Sequence, residues 1–421
     1  MTPEGWRTQG EPPTERRLLR QVSIDPAHMI AFLREHYAQR FIPQGGSKVK
    51  WIIGPPGSGK THALRMLELA AAEDGLLTVA LDAGATPLRG IQEFGQAVLA
   101  QLDTTQVLRG LRDRVIRRLG YDTTSIPPST TLVDWLVAER GRIRDTAMAD
   151  IREHVDQMLA PVDVGLSLKV AVSFKVGELL GVPSPDTDTL DAWLTGAPLR
   201  KPLMKRLGLT EALNRQNART ILQGWAVLAR TAGRGGILIT VDQLDQLVAP
   251  KGDGTTVYYT AGRREETYEM LREFIDDGDV LPGLWLVLAA RPALYQDEKR
   301  GISSYPALKD RVSTELTSVE LNRFSDWLDW DSVFAADEGA MRRVADAWAV
   351  ATGGRPHVAP AAGSMSQVRR TMLASVGGPA PHHDAWTPLA DREDPLGSEG
   401  GPNPSDETAD RTGEGGSHLG H

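Results

Sequence analysis

The sequence predicts an α/β fold, a parallel sheet flanked by helices and built around a glycine-rich loop, with a large, mainly helical insertion and a disordered acidic C-terminal tail. Three observations carry that expectation. Short β-rich apolar runs alternate with stretches of helical period, a glycine-rich loop joins the first run to the first helix, and more than 130 residues separate the second run from the third.

Taken in order, residues 1–15 are polar and proline-containing and read as disordered. Residues 16–102 form the first part of the sheet domain. Its apolar runs at 49–53 and 77–81 have the length of buried parallel strands, and helical patterns follow at 61–72 and 91–102. The long interval holds a helical insertion at 103–210, with Trp135, Trp193 and Trp225 as packing anchors and breaks at Pro127-Pro128 and around Pro183 and Pro185. Residues 211–322 complete the sheet domain, with strands at 237–241 and 284–288, a helix at 263–275 and a weaker strand candidate at 317–321. Residues 323–376 read as a C-terminal helical lid.

The tail, 377–421, carries nine glycines and six prolines, and nine acidic residues against two arginines. It therefore accounts for most of the formal net charge of -8, and the remaining chain is nearly neutral. Four of the nine histidines, His382, His383, His418 and His421, fall in this tail at spacings that fit no structured metal site. The chain has no cysteine, which excludes disulfides, thiolate metal sites and thiol nucleophiles together. No apolar stretch approaches the roughly 18 residues of a membrane span and the N-terminus lacks a signal-peptide core, so a cytoplasmic protein is expected.

The loop at 54–61, Gly54-Pro55-Pro56-Gly57-Ser58-Gly59-Lys60-Thr61, satisfies the G-x-x-x-x-G-K-[ST] pattern directly after a predicted strand and directly before a predicted helix. An accidental glycine turn would need neither neighbour. Glycines let backbone N–H groups curl around phosphate oxygens, and the helix adds the positive end of its dipole. Lys60 is expected to reach the β- and γ-phosphates of ATP, and the Thr61 hydroxyl to ligate Mg2+. His62 follows the motif and is grouped with the nucleotide-binding set.

Holding the metal requires a second acid, and the apolar run at 237–241 ends in Asp242. The next residue is Gln243, whose amide cannot accept a proton as a base but can orient a water. Asp245 supplies a carboxylate nearby if the turn brings it inward. Arg291 closes the fourth run, where it reads either as a sensor of the γ-phosphate or as a surface residue. Arg311 reads either as an arginine finger offered to a neighbouring subunit or as a helix salt bridge. Arg355, Arg369 and Arg370 are candidates for a second sensor, with nothing in the sequence to choose among them.

With these residues in place, the chain resembles the ATP-binding P-loop proteins of bacterial BREX-type phage-resistance systems, the BrxD-like group. The likeness lies in the GSGKTH ending of the loop, in LDAWLTGAPLRKPLMKRLGL, in NARTILQGWAVLARTAGRGGILITVDQLDQL and in YEMLREFIDDGDVLPGLWLVLAARPALYQDEKRGISSYPALKDRV, in that order. It covers 47–102 and 188–312. The resemblance implies an AAA+ like ATPase domain in an antiviral system acting on DNA; other phage-defence proteins such as a helicase are expected as partners. This chain departs from the group at Gln243, where glutamate is usual, and at Ala290-Arg291-Pro292, where Gly-Thr-Pro is common.

A nucleic-acid surface is best sought at 108–119, where Arg109, Arg112, Arg114, Arg117 and Arg118 share one short helix with an apolar stripe. Such a helix also packs its stripe and leaves its charges in water. A second basic stretch holds Arg200, Lys201, Lys205 and Arg206. Two functions fit these features. One is a homo-oligomeric ATPase that remodels DNA or a DNA-bound partner, and the other is a weakly hydrolytic, nucleotide-dependent adaptor that recruits a helicase, nuclease or methyltransferase.

Overall fold

The computed structural model describes residues 12–375, apart from 253, 255, 279–281, 314–320, 354 and 356–366. Five parallel strands form one sheet: β1 (Lys48–Ile53), β2 (Leu77–Asp82), β3 (Ile237–Asp242), β4 (Leu284–Ala290) and β5 (Trp327–Asp329), in the order β2-β3-β4-β1-β5. The first four fall on the apolar runs of the sequence. The weaker candidate at 317–321 lies almost wholly outside the described residues, and the fifth strand is the three-residue Trp327–Asp329.

Side-chain parity divides the sheet between two cores. Trp51, Ile53, Ile239, Val241, Leu286 and Leu288 face the larger one. Ile52, Leu238, Trp285, Val287 and Ala289 face the other, where they meet Met29, Ile30 and Leu33 of the N-terminal helix α2 (Met29–Leu33), the continuing helical stretch Arg34–Phe41, and α3 (Lys60–Glu73). The first helix, α1 (Arg16–Val22), belongs to a small third core of Val22, Val344, Trp348, Val368 and Met372. This third core joins α1 to the C-terminal helices.

Between β2 and β3 the chain is helical: α4 (Ile91–Gln101), α5 (Thr104–Arg118), α6 (Leu132–Arg140), α7 (Arg144–Leu159), α8 (Leu166–Leu180), α9 (Thr187–Leu194), α10 (Lys201–Arg206) and α11 (Ala218–Thr231). Its apolar stripes merge with the larger core, so Trp135, Trp193 and Trp225 are buried in one continuous cluster with strands β2, β3 and β4. Helix α12 (Ala261–Asp276) packs on the same side, and the described chain continues through α13 (Ala293–Gln296), α14 (Pro306–Ser313), α15 (Trp330–Ala335), α16 (Ala340–Thr352) and α17 (Gln367–Ser375). Among the described residues, no helix is long and apolar enough to cross a membrane. The acidic tail lies outside them.

One buried charge fixes the edge of the sheet. Lys50 on β1 is fully buried, and its Nζ donates to the carbonyls of Ser325 at 2.5 Å, Phe324 at 3.2 Å and Arg323 at 3.4 Å, with the Tyr37 ring 4.9 Å away. An ammonium can be buried only where such acceptors replace water, and here they are the backbone that leads into β5. Removing it strands those carbonyls. Lys50→Met is expected to lower stability by about 2–4 kcal/mol in chemical denaturation; an unchanged midpoint would show that the 323–325 backbone is held by something else.

Candidate functional site

The glycine-rich loop leaves β1 at Ile53 and enters α3 at Lys60. Gly57 and Gly59 take φ of 79° and 93°, the left-handed region that glycine enters without strain. The loop also has no room for side chains: a Cβ at Gly54 would lie 2.7 Å from Ser58 Oγ, and one at Gly57 would lie 2.6 Å from Arg369 Cβ. Lys60 Nζ donates to the carbonyls of Gly54 at 2.6 Å and Pro55 at 3.0 Å, on the inside of the turn. Burial pulls its pKa down to about 8, against the opposing pull of Asp245 and Asp242.

The acid expected at the end of β3 comes to the loop. Thr61 Oγ1 donates to Asp242 Oδ2 at 2.6 Å, and the backbone N–H of Gln243 donates to Asp242 Oδ1 at 2.8 Å. Parity explains the meeting, because Thr240 and Asp242 point to the face covered by α3 while Ile239 and Val241 point to the other. Asp245 also arrives in the site, as the partner of Arg291: the Arg291 backbone N–H donates to Asp245 Oδ1 at 3.0 Å and its Nε lies 3.3 Å from Oδ2. The sequence presented these as two separate candidates. The structure makes them one ion pair.

Pro56, Gly57, Gly59, Lys60, Thr61, Asp242, Gln243, Asp245 and Arg291 line one cavity of about 720 Å³, a volume within the usual range for a small-molecule site. Its far wall adds residues that sequence reasoning passed over: Arg65 and Glu68 on α3, and Asp82 at the end of β2. Glu68 accepts from Thr240 Oγ1 at 2.5 Å and pairs with Arg65, and burial pushes its pKa up. Asp82 accepts from Gly84 N–H at 2.7 Å and from Gln243 Nε2 at 2.8 Å. A signal for Asp82 was present, since it directly follows an apolar run, and ligands of open α/β sheets gather at the carboxyl ends of strands.

Three other predicted residues fall as follows. His62 borders the cavity, but its ring is engaged elsewhere, with Nδ1 3.0 Å from Ser23 Oγ and its edge toward Trp348 at 5.8 Å between centroids. Arg311 lies on α14, away from the cavity, where Nε donates to Asp276 Oδ1 at 2.9 Å. Of the three C-terminal arginines, Arg369 is the one set against the loop: its backbone N–H donates to the Gly57 carbonyl at 3.0 Å and it lines the cavity.

These donors fit a nucleoside triphosphate with its metal. The turn and the N-terminus of α3 suit phosphate oxygens, Lys60 supplies a cation, and Thr61 with Asp242 forms the hydroxyl–carboxylate pair that would hold Mg2+. A strand, a glycine turn and a helix with this set at the mouth define a P-loop nucleotide-binding domain. The chain belongs to the family of BREX system ATP-binding proteins BrxC/D, whose model matches residues 33–328. It is an ATP-binding protein of the anti-phage defence type, and the match includes the helical insertion as well as strands β1 to β4. No curated protein and no solved structure gives a significant match.

Lys60→Ala is expected to weaken ATP binding at least about a hundredfold while leaving the thermal midpoint unchanged or slightly raised, because a buried ammonium is removed. Fluorescent-nucleotide titration checks the first part. Undiminished affinity would place the phosphates elsewhere.

Proposed function

We propose that this chain is an AAA+ like ATPase that binds Mg2+–ATP through Lys60, Thr61 and Asp242 and couples ATP binding or hydrolysis to action on DNA or on a DNA-processing partner such as a helicase. The observation that carries the reading is the 2.6 Å bond between Thr61 and Asp242, which assembles the metal-holding pair from segments 181 residues apart. When bound, Mg2+ would neutralise charge developing on the β- and γ-phosphate oxygens. Lys60 would do the same from the protein side, and Arg291 and Arg369 stand at the cavity wall as cations for the terminal phosphate.

The insertion supports the DNA part of the proposal. On α5, Val107, Leu108, Leu111, Val115 and Ile116 are buried, while Arg109, Arg114, Arg117 and Arg118 are exposed. Arg112 is paired with Asp113, and Arg114 donates to the Thr231 carbonyl at 2.9 Å. Arg117 donates only to the Asp113 carbonyl of its own helix, at 3.2 Å, so Arg109 and Arg118, with Arg117 beside them, are the best placed to meet a phosphate backbone. The adaptor reading has its own support in Gln243 and in the commitment of Asp245 to Arg291. Homo-oligomerisation with Arg311 as a trans-acting finger would require Arg311 to exchange Asp276 for a neighbour's nucleotide.

Turnover of ATP by the purified chain, with and without duplex DNA, separates the two readings. Asp242→Asn is expected to weaken Mg2+-dependent ATP binding about tenfold or more and to leave metal-free binding nearly unchanged. Arg109→Glu/Arg117→Glu/Arg118→Glu is expected to abolish DNA stimulation and flatten the salt dependence of DNA binding. Unaltered DNA binding in that variant would remove α5 as the contact surface.

A further inference from the structure

The geometry points to Asp82 as the carboxylate that orients the attacking water, with Gln243 as the amide that holds it in place. This inference rests on the ATPase reading, and deepens it by naming the group that would act on the water. Asp82 and Asp242 are direct register partners at the ends of β2 and β3, and their even parity directs both to the face that carries α3. Asp82 therefore stands beside the metal-holding residue without being bonded to Thr61.

Elimination among the carboxylates of the cavity gives the same residue. Asp242 is set aside by its bond to Thr61, with which it forms the pair that would hold the metal, and its other oxygen accepts from the Gln243 N–H. Asp245 is taken by the backbone N–H and guanidinium of Arg291. Glu68 is bonded to Thr240 and paired with Arg65. Asp82 forms no salt bridge among the described residues; Gly84 N–H donates to one oxygen and Gln243 Nε2 to the other, with the Ala85 N–H also close to the carboxylate. Each carboxylate oxygen accepts two, so Asp82 keeps capacity for a water.

Gln243 shows why an amide follows Asp242 here. It is one of three non-glycine residues with positive φ among those described, at 56°, and this turn carries its side chain back to Asp82. Glutamate at 243 would set two carboxylates 2.8 Å apart, whereas glutamine donates. Gly84 leaves the pair room, since a Cβ there would lie 3.2 Å from Asp82 Oδ1 and 3.4 Å from Gln243 Oε1. Burial raises the Asp82 pKa and the Gly84 N–H opposes it.

The step needs no strong base. The water oxygen bonds to the γ-phosphorus as the bridging P–O bond breaks, the electron pair leaves with ADP, and both water hydrogens leave on the phosphate, so that ATP and water balance ADP and dihydrogen phosphate. With a loose transition state the catalytic demand is orientation, which a hydrogen-bond acceptor meets.

The test compares the full-length parent, Asp82→Asn and Asp82→Asn/Gln243→Glu. Readouts are kcat and KM with and without duplex DNA, affinity for a fluorescent ATP analogue, and the nucleotide-free thermal midpoint. Asp82→Asn is expected to lower kcat about fiftyfold or more, with affinity within about threefold and a midpoint unchanged or raised by relief of the Asp82–Asp242 repulsion. The double variant reverses the polarity of the pair and is expected to recover kcat to within about tenfold of the parent. Parent turnover that survives Asp82→Asn overturns the role of Asp82 and leaves the ATPase reading standing. A lowered midpoint or weakened affinity in Asp82→Asn makes the residue structural and likewise overturns it, and a double variant as slow as the single overturns the pairing. A parent with no turnover under any condition sinks the ATPase reading and the role of Asp82 with it.

Discussion

The hydrogen bond from Thr61 to Asp242 is the contact on which the site depends, because it closes a ring made of β1, the glycine loop, α3 and β3. Neither partner is positioned locally. Thr61 is placed by a loop whose glycines accept backbone angles and a close approach that other residues would resist. Asp242 is placed by the parity of a strand two positions away in the sheet, with β4 between it and β1. A one-residue slip of β3 would send Asp242 to the opposite face and Val241 into the cavity.

Around that ring, cations and carboxylates are paired in a way that sets each role. Lys60 is buried, turned onto loop carbonyls and held below its ordinary pKa, so phosphate oxygens would offer its ammonium better partners than the ones it has. Arg291 holds Asp245, and Gln243 holds Asp82. The two strand ends on either side of Asp242 thus present one ion pair and one amide–carboxylate pair. Their chemistry differs: the first is neutral overall, and the second retains a negative charge.

The ends of the described chain are built into the same site. Helix α1 packs with Trp348, Val368 and Met372, Ser23 reaches His62 one residue beyond Thr61, and Arg369 leans on Gly57. Any movement of the phosphate loop is therefore felt by the N-terminal and C-terminal helices through direct contacts. The helical insertion packs on the far side of the sheet from the site, its apolar stripes sharing the large core with the odd-numbered face of β2 and β3.

Four strands, the helices that follow them, the glycine loop and the acid at the end of β3 are legible in the sequence. Strands buried on both faces read as unbroken apolar runs, and a phosphate loop needs glycine, lysine and threonine at fixed spacing. The three-residue β5 has no such run, because a strand at the sheet edge is held by pairing with β1 and by Lys50 below it. Tertiary structure alone decided that Arg369 rather than Arg355 or Arg370 packs on the loop, that His62 faces Ser23 and Trp348, and that Asp245 is bound to Arg291 while Asp82 is bound to Gln243. These choices depend on register between strands and on partners far apart in the chain, and no local pattern encodes which of several carboxylates or arginines a folded sheet will bring together.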